Sequence, residues 1–123
     1  MKRGVLYIAF GENFIKELKF SAESVKKYNP DLEITVFTDK PFESEFVDNV
    51  QTMEIRHLRP KIDYIKYTPY DETLFLDTDT IVNHSLNDLF EILQKYDMAL
   101  AHDLARKRKK FKDDFKFWSY ICA

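Results

Sequence analysis

Leu74-Phe75-Leu76-Asp77-Thr78-Asp79-Thr80-Ile81-Val82 sets two carboxylates, two residues apart, between apolar residues on either side. A short apolar run of this kind reads as a buried strand. Asp77 and Asp79 then stand at its carboxyl end, where ligands bind in open α/β sheets. Charge in such a place is costly unless something compensates it. A divalent cation does so: hard carboxylate oxygens suit Mg²⁺ or Mn²⁺, and two of them leave coordination positions for phosphate oxygens and water. An acidic turn after a strand is more often a plain solvated loop, and D-x-D alone is common. The apolar residues on both sides shift the weight toward function.

Outward from this segment the chain alternates strand and helix patterns. Val5 to Phe10 is a continuous apolar run, the pattern of a strand covered on both faces. Phe14, Ile15, Leu18, Ala22 and Val25 recur at helical spacing and predict a helix from Phe14 to Tyr28, with Phe14 on its apolar face. Asn29-Pro30-Asp31 ends it. Ile34 to Phe37 reads as a second strand stopped by Thr38-Asp39-Lys40-Pro41, and Val50 to Ile55 as a weaker third. Pro60 starts a short helix through Ile62, Ile65 and Lys66, which Thr68-Pro69-Tyr70-Asp71 breaks. After the strand Thr73 to Leu76, Ser85 is the expected N-cap of a helix through Leu89, Phe90, Ile92 and Leu93. Met98 to Ala101 is a fifth strand. This alternation predicts an α/β layered sheet, mostly parallel and flanked by helices.

Composition narrows the classes further. The 123 residues carry 19 Lys+Arg and 21 Asp+Glu, a formal net charge of −2, with 45% hydrophobic and 33% charged residues: one ordinary globular domain. Two glycines leave no GxGxxG or GxxxxGK[ST] phosphate loop. The single Cys122 cannot close an internal disulfide and excludes a Cys-rich zinc site, which is compatible with a reducing cytoplasm, the expected location. Met1-Lys2-Arg3 before Val5 to Phe10 resembles a signal peptide only superficially, because the apolar run breaks at Gly11-Glu12. No stretch approaches the roughly 20 apolar residues of a membrane span.

The near-neutral total hides an asymmetry. Residues 104–123 hold seven basic and two acidic side chains, whereas 1–103 hold 12 basic and 19 acidic. The run Arg106-Lys107-Arg108-Lys109-Lys110 reads first as a solvated segment; nucleic acid and anionic membranes are weaker readings. Phe115, Phe117, Trp118 and Tyr120 indicate that this tail packs on the domain or across a homodimer interface.

The order Tyr7-Ile8-Ala9-Phe10-Gly11-Glu12-Asn13-Phe14, Val36-Phe37-Thr38-Asp39, Lys61, Asp77-Thr78-Asp79 and Leu86-Asn87-Asp88-Leu89-Phe90 resembles the GT-A glycosyltransferases. The resemblance is strongest to their glycogenin-like and lipopolysaccharide galactosyltransferase-like group. Each motif is short; their order along almost the whole chain carries the likeness. It implies a Rossmann-like GT-A nucleotide-diphospho-sugar transferase fold, with residues 1–103 as the nucleotide-sugar-binding domain. It further implies that Ala9, Phe10 and Gly11 lie along base and ribose, Phe14 near the uracil, and Thr38 beside them. Lys61 would approach ribose or phosphates, Thr78 would touch the ribose, and Asp77 and Asp79 would hold Mn²⁺ or Mg²⁺ against the diphosphate. Asp103, the catalytic candidate, would meet hydroxyls of the donor sugar.

The implied activity is a retaining, Mn²⁺-dependent hexosyl transfer from UDP-glucose or UDP-galactose to a sugar, protein or lipid acceptor, with donor hydrolysis when no acceptor is present. The basic run, starting three residues after Asp103, would then fold over the mouth of the site and meet the diphosphate. Residue by residue, plainer readings stand beside these: Phe14 as core, Lys61 as a solvated charge, Thr38-Asp39 as a turn, His84 and His102 as structural. The group's Asn-Ser-Gly-type acceptor segment and downstream metal-ligating His cannot be placed before Ile121-Cys122-Ala123, and His57, His84 and His102 do not match that His. A natural minimal enzyme, a truncated chain and a donor-binding remnant all fit. Two rivals remain: a non-catalytic nucleotide-sugar-binding module that needs a partner chain, and an aspartyl-phosphate phosphatase. Thr80 and Ile81 fit the phosphatase pattern poorly.

Overall fold

The first strand is buried on both faces because both are covered by elements that the intervening chain supplies. The computed structural model describes residues 1–54, 63–101 and 120–122. In chain order these form β1 (Arg3–Ala9), α1 (Glu12–Tyr28), β2 (Glu33–Thr38), β3 (Asn49–Thr52), a 3-10 turn (Ile65–Tyr67), β4 (Glu72–Phe75), α2 (Asn87–Ile92), β5 (Met98–Leu100) and β6 (Tyr120–Cys122). One sheet takes the order β3-β2-β1-β4-β6-β5. The first four positions pair parallel, with Val5 opposite both Ile34 and Leu74. β6 runs antiparallel to β4 on one side and to β5 on the other. The alternating elements therefore build the α/β sheet expected from the sequence.

Successive side chains of β1 point to opposite faces. Val5, Tyr7 and Ala9 join Ile34, Val36, Leu74 and Leu76 beneath Ile15, Leu18, Ala22 and Val25 of α1, and Val82, Leu86 and Phe90 extend this layer. Leu6 joins Phe37 and Phe75 on the other face, covered by Tyr64 with Ile65 and Met53. β4 begins on a buried acid, Glu72. Its carboxylate accepts from Arg3 Nε at 2.8 Å and from Gln94 Nε2 at 3.2 Å, so the charge is neutralised within the fold.

Several boundaries differ from the sequence reading. α1 starts at Glu12, two residues before Phe14, and Phe14 lies outside the core, 53% exposed; Ser21 fills the buried stripe in its stead. Phe14 sits on the first helical turn, beyond the residues that face the sheet. Ser85 is not the N-cap: α2 begins at Asn87 with Leu86 in the cap position, and Ser85 Oγ accepts the Asn87 N–H at 3.3 Å. β3 is shorter than expected, and β5 stops at Leu100. The turn around Ile65 and Lys66 is 3-10, and Pro60 and Ile62 lie outside the described residues. Ile81 is 68% exposed, so only Val82 anchors the far side of the acidic segment.

Gly4 and Tyr70 lock together on the Leu6 face. A Cβ on Gly4 would stand 2.2 Å from the Tyr70 ring, which is buried and held by a 2.6 Å hydroxyl contact between Tyr70 and Thr35. The ring cannot swing aside without losing that bond. Gly4→Ala is expected to cost about 1–3 kcal/mol by urea unfolding. Burial also pushes the Tyr70 phenol up to about 12. The unfolded phenol ionises first, near its ordinary value of about 10. The stability Tyr70 contributes is therefore intact below about pH 10 and lost as pH rises toward 12. Tyr70→Phe should make the alkaline decline in stability shallower.

Candidate functional site

The chain leaves β1 toward β2 by way of α1, on one face of the sheet, whereas residues 64 and 65, between β3 and β4, pack on the other. β2 and β4 flank β1 on opposite edges. Connections that part in this way open a crevice at the carboxyl ends of β1 and β4, the topological switch point of a doubly wound sheet. Ala9-Phe10-Gly11 and Leu76-Asp77 leave the sheet there side by side, with Thr38-Asp39 at the adjoining end of β2.

The β1 exit is built on Gly11, which has φ 101° and ψ 151°, a conformation open almost only to glycine. Its N–H donates to Asp39 Oδ1 at 3.1 Å, fastening the loop before α1 to the end of β2. Thr38 is fully buried, and its hydroxyl approaches the same oxygen at 3.4 Å, so it lies beneath the crevice instead of lining it. Ala9 is also buried, and Phe10 packs against Tyr64 with ring centroids 6.0 Å apart. Phe14 offers an exposed ring one helical turn from Gly11.

The β4 exit is a tight turn. Leu76 N–H still reaches Leu6 O at 3.2 Å; then Asp77 to Thr80 fold back, with Thr80 N–H on Asp77 O at 3.3 Å and the Thr80 hydroxyl on the same carbonyl at 2.7 Å. Asp77 is 8% exposed, Thr78 half-buried and Asp79 exposed. The Thr78 hydroxyl donates to Glu17 of α1 at 2.9 Å. The Thr80 hydroxyl also touches Ser21 Oγ at 3.1 Å, which contacts the Tyr7 hydroxyl at 2.6 Å.

A divalent cation was expected here, and the donor set fits one in kind: two carboxylates on one short turn supply hard oxygens and leave room for water and phosphate. Among the described residues no group of three or more His, Cys, Asp or Glu could hold a metal by itself. His84 is exposed, and its part in the fold is its carbonyl, which accepts from Asn29 Nδ2 at 3.2 Å. Lys61, Asp103, His57, His102 and the basic run lie outside the described residues.

The structure thus brings Ala9, Phe10, Gly11, Thr38, Asp77, Thr78 and Asp79 to one edge, with Phe14 beside them. Asp39 and Glu17 are contributors the sequence reading did not single out. Asp39 entered the sequence reading within the Val36-Phe37-Thr38-Asp39 motif and as a possible turn, with no role of its own; Glu17 carried no signal, being one charge among many on an exposed helix face.

No protein-family model matches the chain, and no curated protein matches it in sequence. Its backbone does match solved glycosyltransferases. GlyE of Streptococcus pneumoniae TIGR4 superposes with a TM-score of 0.72 at 20% identity, over 98% of this chain and 34% of GlyE. The galactosyltransferase LgtC, solved with donor and acceptor sugar analogs, gives 0.60 at 20% identity over 97% of this chain and 57% of its own. TarS of S. aureus in complex with UDP-GlcNAc gives 0.55 at 18% identity over 81% and 33%. The chain therefore has the Rossmann-like GT-A fold of glycosyltransferases. It spans about a third of the length of GlyE.

Gly11 offers a direct check on the β1 exit. Gly11→Ala should cost about 1–3 kcal/mol in urea unfolding, since the backbone there has no relaxed alternative that keeps the Asp39 bond.

Proposed function

We propose that this chain binds a UDP-sugar through a divalent metal and transfers the sugar as a glycosyltransferase. One observation carries the reading. A turn bearing Asp77 and Asp79 sits at the carboxyl end of β4, next to the β1 exit, in a GT-A sheet. Of the neighbours with this fold, GlyE is a glycosyltransferase and LgtC a galactosyltransferase, and one TarS structure is a complex with UDP-GlcNAc.

In this reading Asp77 and Asp79 hold Mn²⁺ or Mg²⁺. The metal, when bound, supplies a Lewis acid to the diphosphate, offsetting the negative charge of the leaving group. Ala9, Phe10 and Gly11 offer base and ribose a wall formed largely of backbone, and Asp39 holds that wall in place through the Gly11 N–H. Phe14 presents its ring to the uracil. The Thr78 hydroxyl, which donates to Glu17, keeps its lone pairs for a ribose hydroxyl. Thr38 supports the floor; Lys61 and the basic run 106–110 are assigned to the phosphates and Asp103 to the hydroxyls of the sugar, on the sequence pattern. The donor is UDP-glucose or UDP-galactose, the outcome retention, and water takes the sugar slowly when no acceptor is present.

Calorimetric titration with UDP-glucose, UDP-galactose and GDP-sugars, with and without Mn²⁺, tests the reading together with an assay for released UDP. Binding and UDP release are expected only with the metal and a uridine donor, and Asp79→Ala should abolish both. Metal-dependent binding without turnover would identify a binding module that needs a partner chain for its acceptor. Metal-independent behaviour, or cleavage of phosphate monoesters through Asp77, would overturn the proposal.

A further inference from the structure

The turn that carries Asp77 and Asp79 has left the sheet's hydrogen-bond ladder, yet it must hold two carboxylates in a fixed relation. Its last ladder bond is Leu76 N–H to Leu6 O. Beyond that, the Asp77 carbonyl receives the Thr80 N–H at a long 3.3 Å and the Thr80 hydroxyl at 2.7 Å. The hydroxyl is therefore the tighter closure of the turn.

The direction of the bonds behind it follows from counting protons. Each hydroxyl has one proton to give. Thr80 spends its proton on the Asp77 carbonyl, which can only accept. In the 3.1 Å contact between Ser21 and Thr80, Ser21 must then donate. In the 2.6 Å contact between Tyr7 and Ser21, Tyr7 must donate in turn. The result is a one-way chain, Tyr7 O–H to Ser21 O–H to Thr80 O–H to the Asp77 carbonyl, running from the middle of β1 through α1 into the acidic turn. Tyr7 and Ser21 are fully buried, so no water competes for these protons. Burial also drives the Tyr7 phenol well above its ordinary pKa, and the first donor keeps its proton at any physiological pH.

A second clasp lies one helical turn on. Val82 N–H donates to Ser24 Oγ at 2.9 Å, and the Ser24 hydroxyl donates to the Ser21 carbonyl at 2.6 Å. Helix α1 thus grips the segment at residue 80 and again at residue 82, using the two serines of a face that is otherwise apolar. A serine fully buried among Leu18, Ala22 and Val25 has no packing advantage over alanine; its hydroxyl needs a partner, and the acidic turn supplies it.

We infer that Tyr7, Ser21 and Thr80 are positioning residues: their hydroxyl chain fixes the backbone of the Asp77–Thr80 turn and so presets the two carboxylates for a divalent cation. The inference rests on the metal-dependent reading of the site. It assigns these residues no contact with donor or metal. Their effect passes through the Asp77 backbone, as outer-shell groups orient metal ligands elsewhere.

The test is Mn²⁺ uptake in the presence of UDP, followed by electron paramagnetic resonance of the free ion, alongside thermal unfolding of the same proteins. Thr80→Val keeps the shape and removes the hydroxyl; it should weaken Mn²⁺ affinity by roughly tenfold or more, the range seen for outer-shell changes. Thr80→Ser, which restores the donor, should return the affinity to the wild-type value. Tyr7→Phe removes only the first donor and should shift affinity the same way by less. A purely structural role would lower the unfolding temperature of Thr80→Val and Tyr7→Phe while leaving Mn²⁺ affinity unchanged, and that result overturns the inference. Should Thr80→Val fail to fold, Tyr7→Phe with unchanged affinity overturns it equally. Wild-type protein that takes up no Mn²⁺ with UDP would instead remove the underlying reading of the site, and this inference with it. Uptake lost in Asp79→Ala but untouched in every hydroxyl variant would remove the inference alone.

Discussion

Everything in this molecule depends on β1 being paired in parallel along both edges. Val5 and Leu6 bond across to β2 and β4 at once, so neither edge of the strand is open and both of its faces must be covered. One connection therefore goes above the sheet and another below, and the crevice at the strand ends is a by-product of that division. The side chains of the interior are mostly apolar. Among the polar exceptions, Tyr7, Ser21, Thr35 and Thr38 each have a named partner.

A buried acid opens β4 and another follows two residues after its end, and the two are treated differently. Glu72, at the entry, is met by a guanidinium and an amide from the same fold, which removes it from chemistry. Asp77, at the exit, stands where the strands part and where a second carboxylate follows two residues later. One acid ties β4 to β1; the other lies at the turn that leaves the sheet.

Much of this was legible in the sequence, for identifiable reasons. β1, β2 and β4 are covered on both faces, so their apolar runs are continuous and need no periodicity to be read. The end of α1 was marked by Asn29-Pro30, and Asn29 both caps α1 through Val25 O and holds the segment before α2, accepting the Leu86 N–H at 2.8 Å and donating to the His84 carbonyl at 3.2 Å. The misreadings come from position along an element. Phe14 fits the helical spacing but precedes the stretch that meets the sheet. Ser21 breaks the apolar stripe and so went unremarked, although a serine in that stripe is itself a signal of a buried hydroxyl partner. Asp39 was discounted because turn chemistry explains it equally well; only its contact with Gly11 distinguishes the two. β6 could not be anticipated, since three residues paired across such a sequence distance leave no local pattern.

The placement of β6 also dictates an order of assembly. Among the described residues β5 hydrogen-bonds to β6 and to no other strand, and β6 joins it to β4. Although β5 is made some twenty residues earlier, it has no sheet edge to dock on until residues 120–122 have emerged and inserted. The parallel pairing of β1 with β4 already spans 69 residues, and that of β4 with β6 spans 45 to 49, so neither edge of β4 is closed by a local contact. Such distant pairing is slow to find. Until then the β4 edge next to the acidic turn has no strand paired to it, and during synthesis it is open to a foreign strand.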